Sequence, residues 1–227
     1  GLEKEFLRRI DTSIEKAQVW LKARPGNPEV LMTLGGSYGM KSRWDATRGK
    51  WLQAVFDGRR AMAAVRAANK ADPQLYDAYL GIGMWEYYAD VFPRFIKVLG
   101  RMMLGGDRLK GIEHLKLAAE KGRYGKIGAQ LVLIEILLED RFGAKDPKLA
   151  LQMIRKLRAW LPNSPIFHQI EQVCAYEAGE YADAVSVSEE YLARIDRKAL
   201  NYHEAERARA HVTIGMAKWR SGDRSGA

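Results

Sequence analysis

The stretch PGNPEVLMTLGGSYG, Pro25 to Gly39, decides the fold. Leu31, Leu34, Gly35 and Tyr38 stand three, one and three residues apart, which places them on one side of a helix. The same spacing returns downstream. Tyr79, Ile82 and Gly83 repeat it after Pro73, and Ile214 and Gly215 repeat it again just before the closing SGDRSGA. Between these stand helices of a second type: Ala61, Val65 and Ala68 ahead of Pro73, then Ala150, Ile154 and Leu157 ahead of Pro162. Small residues (Gly35, Gly83, Ala61, Ala68, Ala150) let paired helices approach, and large apolar ones fill the gap to the next pair. Proline ends a helix because it lacks the N–H and clashes with the preceding turn. Alternating β-type runs are absent, so the chain is expected to be all-α.

These patterns resemble the tetratricopeptide repeat, W-x-x-L-G-x-x-Y in a first helix and A-x-x-x-F-x-x-A in a second. AGEYADAV, Ala178 to Val185, is similar to that family's turn into its second helix. The resemblance implies a right-handed α-solenoid of about four to five hairpins forming a single domain over 1–227. The register expects a lone helix at about 3–24, hairpins at about 28–71, 74–121, 124–161 and 165–195, and a partial one at about 200–220. That truncated last pattern suggests repeats continuing beyond Ala227, and a start on Gly1 is what removal of a targeting segment would leave.

Two adjacent hairpins exceed the usual length of about 34 residues. The expected inserts are Ser42 to Val55 and Val91 to Gly105, side by side on one edge of the solenoid. They hold Trp44, Trp51 and Phe95 among Arg94, Lys97 and Arg101, a basic-aromatic edge suited to an acidic protein partner. Arg94, Lys97 and Arg101 form one stripe of a short amphipathic helix opened by Pro93, which adds weak contact with an anionic membrane surface. The family's inward positions, carried across, are Met32 and Gly36, then Leu80, Met84 and Tyr87, then Val212, Met216 and Trp219. Such a concave, Met-rich surface suits a partner's helix or peptide. Members that grip a C-terminal carboxylate use Lys and Asn at these positions, and Met32 and Gly36 depart from that.

The segment from GMWEYYA through GGDRLKG to GRY is also similar to bacterial envelope members, such as the T-component of periplasmic TRAP transporters. That likeness implies a partner protein and an envelope location rather than a cytoplasmic one. It also carries the second expectation, an accessory protein holding a small apolar ligand in a tunnel lined by Met84, Tyr87, Met102 and Met103.

Composition narrows the alternatives. The formal charge of +9 favours acidic partners, but the cations are dispersed, which argues against nucleic acid. No apolar run reaches the roughly 18 residues of a membrane span. One cysteine, Cys174, excludes an internal disulfide. GIGMWE has Glu86 where a dinucleotide loop needs its third glycine, and GGDRLKG lacks the Lys-Ser or Lys-Thr of a phosphate loop. His203 and His211 are eight residues apart, too far to share a metal on one helix. The expectation is a non-enzymatic protein without a cofactor, its histidines exposed or structural and Cys174 buried and inert.

Overall fold

A computed structural model describes residues 1–91 and 106–223. Among them are ten α-helices, a short 3-10 turn at Glu204–Glu206, and no strand. The helices are α1 (Leu2–Ala23), α2 (Pro28–Thr47), α3 (Trp51–Ala71), α4 (Ala78–Val91) and α5 (Arg108–Lys121), then α6 (Lys126–Glu139), α7 (Pro147–Trp160), α8 (Pro165–Glu177), α9 (Tyr181–Asp196) and α10 (Arg207–Ser221). Helices pack on their sequential neighbours, an all-α arrangement compatible with a helical repeat. They gather into two compact units, Gly1–Gln130 and Leu131–Ala227.

Local chemistry starts the helices. Asn27, Asp146 and Ser164 each cap an N-terminus by accepting from a backbone N–H three residues on, and each is followed by proline in the first turn. A capping side chain satisfies a donor the helix leaves orphaned, and proline there sacrifices nothing. These prolines therefore open helices. Asp107 caps α5 in the same way, accepting from Leu109 and Lys110.

In the first unit, Gly35 brings α2 onto α3: a Cβ there would meet Val65 Cγ2 at 2.5 Å. Gly83 and Gly111 do the same for α4 and α5, and a Cβ on Gly83 would stand 2.7 Å from the Gly111 carbonyl oxygen. Met62, Val65, Ala78 and Ile82 form the core beneath, with Met32, Tyr79 and Trp85 packed against it.

The first expected insert is not a separate element. Nothing between Ser42 and Thr47 breaks a helix, so α2 runs on to Thr47 and α3 begins at Trp51. The reversal is confined to Arg48, Gly49 and Lys50, with Gly49 at φ +73°, where a side chain would be strained. The added length thus extends both helices of one hairpin. Of the second insert, only Val91 is described, at the end of α4; Arg94, Phe95, Lys97, Arg101, Met102 and Met103 lie outside the described residues.

The second unit is held by a polar core as well as an apolar one. Tyr191, Ile195, Tyr202 and Ala210 cluster, and fully buried His168 meets the Val187 carbonyl oxygen at 2.9 Å through Nε2. Glu171, also buried, receives Arg158 and Arg155, which continue to Glu190 and Asp183 respectively. Cys174 is buried, and burial pushes its thiol up to about 12.

Candidate binding groove

An apolar groove of about 490 Å³ opens in the first unit between α2 and α4, with α3 as its floor. Met32, Gly36, Gly39 and Met40 come from α2, Ala61, Met62 and Val65 from α3, and Leu80, Met84, Trp85 and Tyr88 from α4. Three glycines shape the walls. Gly58 lets the Trp85 ring close over α3, since a Cβ there would meet it at 3.3 Å. A Cβ on Gly36 would meet nothing within 4 Å and one on Gly39 only Ala61 Cβ at 4.0 Å, so both leave open space in the groove.

The polar groups at the groove are few and mostly committed. Ser42 Oγ donates to the Ala54 carbonyl oxygen at 2.7 Å. Asp77 Oδ1 accepts from the backbone N–H groups of Arg123, Tyr124 and Gly125 at 2.9, 2.9 and 2.7 Å. Its charge serves the turn into α6, where unpaired donors and the helix dipole favour an anion. Arg43 stands exposed at the lip, making no ion pair among the described residues.

Of the expected inward residues, Met32, Gly36, Leu80 and Met84 line this groove. Tyr87 does not. It is 5% exposed, with its backbone against Gly111 of α5 and its ring edge-on to Tyr88. The lining position is Tyr88, which continues the i, i+4 series from Leu80 and Met84; that spacing was the available signal. Met40, Met62 and Trp85 were also missed. Met216 and Trp219 are exposed on α10, in the second unit, with Val212 on the same stripe.

The basic-aromatic edge is divided differently from its expectation. Trp44 packs on Phe6 of α1, with ring centroids 5.0 Å apart, and Arg48 lies 4.7 Å from its ring. Its side chain is spent on holding α1, and its Nε1–H is buried without an acceptor among the described residues. Trp51, 63% exposed at the start of α3, is available. A wider depression of about 710 Å³ lies beside it, lined by Leu7, Asp11, Lys41 and Asp45, but Lys41 is already paired with Asp11 at 2.6 Å.

His114 is engaged in the fold, whereas His203 and His211 are exposed. His114 Nδ1 meets Glu86 Oε2 at 2.6 Å beside the Tyr79 ring. No three His, Cys, Asp or Glu side chains form a metal-holding group among the described residues, and none of the helices described is long and apolar enough to cross a membrane. No family model matches this chain, and no curated protein does.

Proposed function

We propose that this chain is a non-enzymatic interaction scaffold, a right-handed solenoid of about four to five tetratricopeptide-like hairpins, that receives the apolar face of a partner helix or peptide between α2 and α4. The observation that carries this reading is the groove: Met32, Met40, Met62 and Met84 line a slot kept open by Gly36 and Gly39, with little polar demand. Unbranched methionine side chains adapt to a partner's surface, and a helix laid in such a groove is recognised by anchors at i, i+3 and i+4. Arg43 at the lip favours a partner with a carboxylate near one end of its apolar face.

The test is to fill the groove without disturbing its walls. Gly36→Leu and Gly39→Leu project into open space. Affinity capture from native extract, read by mass spectrometry, is expected to lose a specific partner with these variants while helicity and unfolding midpoint hold. Capture unchanged by filling would remove the groove as the site.

A second reading rests on size. A volume of about 490 Å³ lies within the range of small-ligand sites. An envelope accessory protein carrying an apolar small molecule there would show bound mass in native mass spectrometry, lost in Gly36→Leu.

A further inference from the structure

The opposite side of α3 presents a second surface. Its buried side carries Ala54, Asp57, Gly58, Ala61, Met62 and Val65. On the other side, Leu52 is 80% exposed and Phe56 55%, while Trp51 (63%) and Val55 (38%) stand at the margin, one above Gly58 and the other above Met62. Two large apolar side chains in the first two turns therefore face away from the core, with Trp51 exposed beside them at the helix start. Arg59, Arg66 and Lys70 continue the same exposed stripe toward the C-terminus. None of these three makes an ion pair among the described residues. The single carboxylate of α3, Asp57, is 1% exposed and held inside by Arg60 at 3.1 Å, so it does not offset the stripe.

From this arrangement we infer that the outer face of α3 docks on an anionic lipid surface, with Trp51, Leu52 and Phe56 entering the headgroup region and Arg59, Arg66 and Lys70 lying along the phosphates. Aromatic and leucine side chains beside cations are the chemistry of helices that rest in the membrane interface, and two weak signals, apolar and electrostatic, together give stable attachment. The layout favours lipid over an acidic protein. The apolar side chains stand proud at one end, and the cations run in a line along the helix rather than ringing them. A flat sheet of phosphates meets such a line over its whole length, about 16 Å from Arg59 to Lys70 at the helical rise. The face lies across α3 from the groove, so lipid contact and groove occupancy are compatible.

The experiment is co-sedimentation of the whole chain with phosphatidylcholine vesicles that contain phosphatidylglycerol, against pure phosphatidylcholine. Partitioning onto the anionic vesicles is expected, falling about tenfold in Leu52→Ser/Phe56→Ser and again in Arg59→Gln/Arg66→Gln/Lys70→Gln. All five side chains are exposed, and circular dichroism verifies that the fold is kept. A separate measurement uses Leu52→Cys carrying an environment-sensitive dye, since the native Cys174 is buried; its emission should shift to the blue on anionic vesicles alone. No partitioning, equal partitioning onto neutral vesicles, binding undiminished in both variants, or an unshifted dye would each overturn the inference. The first of these would leave the face to an acidic protein.

Discussion

Arg158 of α7 reaches across to Glu171 of α8, with Nη1 2.6 Å from Oε2, and the carboxylate keeps only 7% of its side-chain surface. A buried charge pair adds little over an apolar pair of the same shape, but breaking it strands the survivor. Arg158→Leu should lower the unfolding free energy in urea by about 3 kcal/mol, leaving Glu171 with Arg155 alone at 3.3 Å. Arg158→Leu/Glu171→Leu should recover most of that loss.

His168 makes the second unit sensitive to acid. Burial first, then the nearby Arg158 charge, lowers its pKa from 6.5 to about 4. In the unfolded chain the imidazole takes up its proton near pH 6.5, whereas in the folded protein it stays neutral until about pH 4. Its contribution is therefore complete above pH 6.5 and is lost as pH falls from there to about 4, amounting at most to roughly 3 kcal/mol. Unfolding free energies at pH 7 and pH 4.5 should differ less in His168→Gln than in the native chain. Glu190 adds acid sensitivity at lower pH: burial raises its pKa, but the Arg158 hydrogen bond prevails and holds it below the ordinary carboxylate range.

Two helical glycines should respond oppositely to the same substitution. Gly83→Ala places a methyl 2.7 Å from the Gly111 carbonyl and 2.8 Å from Leu115, so α4 and α5 must separate. A loss of about 1–3 kcal/mol is expected, outweighing the gain in helix propensity. Gly36→Ala meets nothing and should stabilise by about 0.5–1 kcal/mol. Thermal melts of the two variants read the contrast.

Asp77 ties residues 123–125 to the start of α4 through three backbone hydrogen bonds. Asp77→Ala should cost about 2 kcal/mol and free these donors. Limited trypsin digestion should then cut after Arg123 earlier than in the native chain.

The helical register was legible because its signals are local. A cap and a proline act within one turn, and apolar residues three and four apart read directly as a helix face. The expected lone helix at 3–24 is α1 at Leu2–Ala23, and the joints after Pro73 and Pro162 fall where α3 and α7 end. Part of the groove was legible too, through Met32, Gly36, Leu80 and Met84. Tyr87 was misplaced for Tyr88 because a helix turns 100° per residue, and one position moves a side chain from the groove to the α5 contact. Trp44 was read as part of the partner-binding edge because Phe6, on which it packs, lies a helix away in sequence.

The amino-acid sequence alone determined that this chain is helical, where a cap and a proline open α2, α7 and α8, and that it is rich in cations. Only the tertiary structure decided which apolar residues the protein keeps for itself. Along α3 both sides are apolar in the first turns, and periodicity cannot rank them. Contact with α2 and α4 buries Ala54 and Gly58, while Trp51, Leu52 and Phe56 stay in solvent. Burial depends on where neighbouring helices lie, and close approach at Gly35, Gly83 and Gly111 fixes those positions.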